Sequence, residues 1–493
     1  MTPTPASERG PRPDWLASPG RKAGGSRRGG VVALASITAF LAGCATFSDD
    51  GGLAAVGKLT RERTGAEPRW QRTDADRDEV ARLVEETLAR PLSAEDAVRI
   101  ALVNNPGLQA TYGELGIAEA DVVAAGRLPS IHIASLRTKY GNDVSRIEQA
   151  IGSDVISLLT VPLRHRYEAK RFERLQAEVA REAVAVAYET RRAWIDAVAA
   201  EETARYMAQV RDAAEASAEL ARRMARAGNY SRLQQLREQA FYADATAQLA
   251  RARQSALSAR ERLTRLMGLS GRDVAYRLPE RLPDLPASPA QPDEVEASAL
   301  AGRLDIRAAQ RDAASLAESL GLVKATRFIN ALEVGRARTK EGDHPFAYGW
   351  EFTIEIPLFD FGTARVARAE ALYLQAVSRV AQAAVDAESE LRAAYSAYRT
   401  AFDTARHYRD EIVPLRKRIS EETLLRYNGM LISVFELLAD AREQILAVNA
   451  AMDATRDYWL AETDLRAALA GAGNGLRAAR SPAALPVARG GGH

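Results

Sequence analysis

The sequence predicts a mainly α protein with a small β part, built as two tandem repeats. Each repeat holds a long antiparallel helical hairpin and two strands. Three observations carry this prediction. Apolar residues recur every seven positions over one very long stretch. Four landmarks repeat in order across a central Pro-rich segment. One run, 348–358, alternates apolar and polar residues without a break.

Composition narrows the function. The 493 residues are 47% hydrophobic but only 6% aromatic, and Ala is abundant. That balance suits long, closely packed helices better than one thick core. A formal charge of +2 gives no general attraction for nucleic acid. Among the 67 basic residues only seven are Lys, a skew that reads as genomic base composition. The single Cys excludes an intramolecular disulfide and a thiolate cluster. The five His (His132, His165, His344, His407 and His493) form no ligand-spaced pair. No convergent nucleophile, base and acid stand out, so the chain is expected to be no enzyme and to use no metal or cofactor.

The N-terminus reads as an address. Arg21, Lys22, Arg27 and Arg28 precede an apolar run over 31–42. That run is too short to span a bilayer, which needs roughly 20 residues, and it has the layout of a secretory signal. It ends in Leu41, Ala42, Gly43 and Cys44, the only Cys of the chain. This ending resembles the lipobox of bacterial lipoproteins, which implies cleavage before Cys44 and a lipid on its thiol. Ala45 and Thr46 follow, not the Asp in second place that retains such proteins in the inner membrane. The outer membrane is therefore the expected location. Ser26-Arg27-Arg28 faintly resembles a twin-arginine signal, but Gly29-Gly30 departs from it.

Residues 44–90 are polar and charged and read as a lipidated tether leading into a short helix. The first repeat spans 91–270, a Pro-rich linker 271–292, the second repeat 293–471, and a disordered tail 472–493. The landmarks are Ala101-Leu102 with Ala299-Leu300, Val161-Pro162-Leu163 with Ile356-Pro357-Leu358, Gly228 with Gly429, and Gly268 with Gly471. Their offsets are 198, 195, 201 and 203.

In the second repeat a helix is expected over 363–427. Val366, Tyr373, Val380, Ala387, Ala394, Ala401, Tyr408 and Leu415 sit at strict sevens, and Ala369, Ala376 and Ala383 fill the alternate heptad position. At about 1.5 Å per residue the rod is roughly 95 Å long. Pro414 should kink it. Gly228-Asn229 and Asn428-Gly429 suit the left-handed backbone that ends a helix. Ser433 with Glu436 reads as a capping box for the return helix.

The strands bear on environment. Tyr348, Trp350, Phe352, Ile354, Ile356 and Leu358 share one face, opposite Glu351 and Glu355. Length and alternation fit a transmembrane strand of about 9–11 residues. The partner run 328–340 is weaker. The first-repeat candidates are 131–140 and 154–163, the latter apolar on both faces and equally readable as a buried strand. Four strands cannot close a barrel, and open edges are not tolerated in hydrocarbon, so several chains must pool them.

LSAEDAVRIALVNNPGL at 92–108, FTIEIPLFDFGTARVARAEA at 352–371 and YNGMLISVFELLADA at 427–441 resemble the TolC-type outer-membrane efflux protein family over about residues 91–471. The resemblance implies a homotrimer with a twelve-stranded barrel and a periplasmic α-barrel tunnel. It also implies docking onto a periplasmic adaptor coupled to an inner-membrane efflux pump. Carried onto this sequence, it puts Gly228, Tyr230, Ser231, Gly429, Met430, Leu431 and Ser433 at the adaptor-contacting tips. Plain turn residues are the other reading of the same positions. Glu436 is the candidate tunnel aperture, unless it only caps its helix; Ala439 stands where a second acidic residue is common. The rival functions are a periplasmic adaptor and a structural coiled-coil lipoprotein.

Overall fold

A computed structural model describes residues 46–141, 144–289, 302–329, 331–357 and 359–473. The signal peptide, the lipobox Leu41-Ala42-Gly43, Cys44, part of the Pro-rich linker and most of the tail lie outside the described residues.

Residues 47–90, expected as a tether leading into one short helix, hold two helices packed on the body. Helix α1 (Leu53–Thr64) starts where the Asp50 carboxylate accepts from the Ala54 and Gly52 amides. Helix α2 (Asp74–Leu88) opens on a capping box between Thr73 and Asp76. Val56, Val80 and Val84 are buried. Charged residues hid the sparse apolar spacing that docks both helices.

Helices α3 (Ala94–Asn104) and α4 (Pro106–Ala125) meet at Asn105. Its side chain accepts from the Leu108 amide at 3.1 Å, and Pro106 supplies the first helical position. Strands β1 (His132–Tyr140) and β2 (Val144–Asp154) follow, then α5 (Val155–Arg226) and α6 (Arg232–Met267). The linker crosses the helices with Tyr276 and Leu282 buried. In the second half come α7 (Leu304–Ala325), β3 (Ala331–Glu341), β4 (Ala347–Glu355), α8 (Thr363–His407), α9 (Val413–Asn428) and α10 (Val434–Ala470). Helix, two strands and two long helical arms thus occur twice in the same order.

The four strands form one antiparallel sheet in the order β1-β2-β3-β4. The expected strand over 154–163 is instead the start of α5. Asp154 caps that helix, accepting from the Ile156 amide at 2.9 Å and from Ser157 Oγ at 2.5 Å. Pro162 could not donate to a ladder. The strand lies just before it, in VSRIEQAIGSD, a segment too polar to announce itself. Pairing on both sides, His132 with Gly152 and Asp154 with Glu333, holds it in place.

The rod begins at Thr363 as expected, but Pro414 does not kink it by a clash. A π turn, Tyr408–Ile412, interrupts the α ladder, and Pro414 falls in the first turn of α9. The seam also departs from strict sevens. Ala369 and Ala376 are buried seven apart, but Ala376, Ala387 and Tyr398 follow in steps of eleven, as do Leu391 and Phe402. Leu415 is exposed. Eleven residues at 3.67 per turn drift the opposite way from a heptad.

The core is a set of Ala-rich seams. Ala180, Ala183, Val184 and Ala187 of α5 pack with Leu102, Leu108, Tyr112 and Leu115. Small side chains let long helices approach closely, while larger anchors fix the layers; Trp194 Nε1, for example, donates to Leu92 O at 2.8 Å. Among the described residues no helix is long and apolar enough to cross a membrane.

Candidate functional site

The two helical hairpins end in turns of one design built from different residues. In the first, Gly228 has φ +81° and donates to Ala225 O at 3.1 Å, while Asn229 donates to Met224 O at 3.0 Å. In the second, Met430 donates to Tyr427 O at 2.9 Å and Leu431 to Arg426 O at 2.9 Å. Both are Schellman closures, which need a left-handed residue after the helix. Met430 fills that place with φ +58°. Gly429 has φ −77°, so the landmark pairing Gly228 with Gly429 is off by one residue. A glycine before Met430 misdirected the sequence reading.

The start of each return helix also differs from expectation. Ser231 and Gln234 form a reciprocal capping box. Ser433 does not: its hydroxyl donates to the Glu436 carboxylate at 3.2 Å and accepts no backbone amide. Glu436 is exposed, one turn into α10.

The turns are tied together. Tyr230, only 9% exposed, stacks on Phe435 with ring centroids 5.2 Å apart, and burial raises its phenol pKa. Tyr230 therefore braces one hairpin against the other. Gly228, Ser231, Gly429, Leu431 and Ser433 are exposed, and Met430 is 93% exposed. The exposed surface of the first turn is small and polar; that of the second is apolar.

A second tie escaped the sequence reading. Glu238 on α6 is 2% exposed. It accepts from Ser217 Oγ at 2.9 Å and from Arg442 Nη2 of α10 at 3.0 Å. The Arg442 guanidinium also lies 4.5 Å from the Phe241 ring centre. Glu238 and Arg442 are 204 positions apart, and no local motif links them.

The sheet lies where both halves leave their short helices and enter their long ones. Trp350 is 68% exposed, and Tyr348, Phe352 and Ile354 beside it are exposed too. These four side chains share one face by register, with Leu332 and Val334 beside them, while Glu333, Glu351 and Glu355 lie on the other. Strands β1 and β4 are both open edges.

No protein-family model and no curated protein matches the sequence. Solved structures do match. The Campylobacter jejuni CmeC outer membrane channel superposes with a TM-score of 0.65 at 16% identity, over 84% of this chain and 92% of that one. The outer-membrane channel OprN gives 0.64 at 20% identity, over 79% and 92%. The Neisseria gonorrhoeae MtrE outer membrane channel gives 0.62 at 18%, over 77% and 89%. The chain has the fold of the TolC-type outer-membrane efflux channels.

Proposed function

We propose that this chain is the outer-membrane channel of a tripartite efflux system, a passive conduit from a periplasmic adaptor and inner-membrane pump to the exterior. One observation carries the reading: a sheet with an exposed aromatic face and two open edges, at the root of two long hairpins. Unpaired edges in hydrocarbon are costly, and pooling strands removes them. Three copies supply twelve strands, the number implied by the resemblance. A periplasmic adaptor or a structural coiled-coil lipoprotein has no use for this sheet beside two equivalent hairpins.

In this reading the chain is anchored through lipidated Cys44, and the exposed tips at Gly228, Ser231, Gly429, Met430, Leu431 and Ser433 meet the adaptor. Glu436 narrows the tunnel mouth. More than one acyl chain makes such an anchor stable. The test is the mass of the detergent-solubilised protein together with conductance in a planar bilayer. A trimer that conducts supports the reading; a stable monomer, or a trimer that leaves the bilayer sealed, sinks it. Cys44→Ser should yield protein without lipid, and a wild-type N-terminus upstream of Cys44 would refute the anchor alone.

A further inference from the structure

The apolar face of the sheet carries a charge pattern that the channel reading does not require. By register, Arg336 lies opposite Trp350 and Ile151, Arg338 opposite Tyr348 and Gln149, and Lys340 opposite Ile147. On β1, Arg137 lies opposite Ile147 and Lys139 opposite Ser145. All five cations thus share the face of the exposed aromatic residues, and no carboxylate of the four strands is on it. The carboxylates at Glu148, Glu333, Glu341, Glu351 and Glu355 all fall on the other face.

The five cations have no carboxylate partner among the described residues. The three on β3 lie against rings and an amide instead. Arg336 sits 5.8 Å from the Tyr348 ring centre and 5.9 Å from that of Trp350, and Arg338 sits 4.8 Å from that of Phe346. Arg338 Nε also donates to Gln149 Oε1 at 2.7 Å. Between β1 and β4 runs a groove of about 340 Å³, with Ile133 and Ile151 lining it beside Arg336, Arg338 and Tyr348.

The cations are also graded along the strands. They occupy the half near the Gly141 and Gly342 turns, away from the helices, whereas Leu332, Val334, Phe352 and Ile354 occupy the other half. From Arg336 to Lys340 the strand advances roughly 13 Å, enough to cross a headgroup layer. Bare cations against hydrocarbon are unfavourable at the midplane and tolerated near the interface. Guanidinium forks match phosphate oxygens in geometry and charge.

We infer that this face binds anionic lipid headgroups bearing phosphate monoesters, in the leaflet at the turn end of the sheet, the acyl chains lying along the aromatic rows below. The inference rests on the reading that the sheet enters a membrane. The test uses the full chain with phosphatidylcholine vesicles, with and without lipid A. Each cation near an anionic surface contributes roughly fivefold to partitioning. Wild-type protein should therefore retain lipid A through repurification. An Arg336→Gln/Arg338→Gln/Lys340→Gln variant should retain about a tenth as much or less, and Arg392→Gln on α8 should match wild type. Millimolar inorganic phosphate should not displace the lipid.

Equal lipid A retention by wild type and the triple variant overturns the inference, as does displacement by free phosphate. If the triple variant does not fold, the Arg137→Gln/Lys139→Gln variant on β1 decides by the same comparison. Wild type that inserts into phosphatidylcholine but ignores lipid A defeats the lipid site and leaves the channel standing. Wild type that enters neither vesicle defeats both.

Discussion

Tyr230, two residues beyond the first hairpin turn, stacks on Phe435, five residues beyond Met430 of the second, with planes 21° apart. The ends of two arms that each run far from the sheet are thus joined by one aromatic pair. Eight residues farther along the chain from Tyr230 and seven from Phe435, Glu238 and Arg442 join them again. Between these ties the turns form a braced unit with an exposed apolar cap.

Replacing Tyr230 by Ala should loosen that unit without disturbing the sheet. An aromatic pair contributes about 0.5–1.5 kcal/mol beyond its buried area. Amides over 228–240 and 430–440 should exchange faster with solvent, while those of β1–β4 keep their protection. Tyr230→Phe should behave as wild type, because the stack uses the ring. Loss of protection throughout the chain would mean that Tyr230 belongs to the folding core.

Glu238 and Arg442 should be strongly coupled and unequal in their single effects. Arg442→Ala strands the buried Glu238 carboxylate and should cost about 1–3 kcal/mol, below the range for a fully buried pair because the Arg442 side chain is 36% exposed. Glu238→Ala leaves the partly exposed Arg442 free to reach water and should cost less. Restoring apolar contact at both sites, Glu238→Leu with Arg442→Met, should recover most of the loss. Purely additive losses in the double variant would dismiss the coupling.

What the sequence disclosed follows from how local each signal is. The alternation at 348–358 is self-contained, and all of β4 but its first residue, Ala347, lies inside it. The rod starting at Thr363 was legible because Gly362 precedes a long run of good helix formers. Strand β2 was not, because Val144–Asp154 is held by partners on both sides and carries only Val144, Ile147 and Ile151 as branched apolar residues, without alternation. Arg303 was equally hidden. It is 2% exposed, donates to Ala468 O and contacts Asp305 and Glu390. It thereby closes the C-terminus of α10 as Asn104 and Asn105 close that of α6, through Met267 O and Leu266 O. An Arg in one half and an Asn pair in the other do one task, and no residue pattern shows it. At the tips the left-handed position was expected at the glycine, but Met430 takes it.

Met430 gives the tip a testable asymmetry. Its left-handed backbone costs roughly 1–2 kcal/mol relative to glycine, and its side chain is almost wholly exposed. Met430→Gly should stabilise the turn by about that amount and Met430→Ala should not. If the apolar cap meets an adaptor, both variants should lose adaptor cross-linking and export to the same extent. Gly429→Ala should change little, since φ there is −77° and the nearest atom to an added Cβ is Leu425 O at 3.5 Å. Undiminished cross-linking in both Met430 variants would mean that the turn only reverses the chain.

Stability should also depend on pH through Glu462, on α10 far from the tips. Its carboxyl is buried, and burial raises its pKa above the ordinary 4.5, with Arg466 and Arg191 opposing the shift and Glu95 adding to it. Oε2 has no hydrogen-bond partner, so the ionised form is incompletely compensated. The folded chain therefore holds this proton at pH values where the unfolded chain has released it. The stability tied to the proton is complete below about pH 4.5 and declines as pH rises through the folded pKa. Glu462→Gln keeps the shape and cannot ionise. Its unfolding midpoint in detergent should lie close to wild type in acid and move above it as pH increases towards neutrality. Arg466→Ala removes the nearest opposing charge, so in that variant the decline should be steeper and complete at higher pH. A wild-type minus Glu462→Gln difference that is flat across pH 4 to 8 would mean that Arg466 and Arg191 hold the carboxylate ionised. The unpaired oxygen would then be a cost the fold carries at every pH.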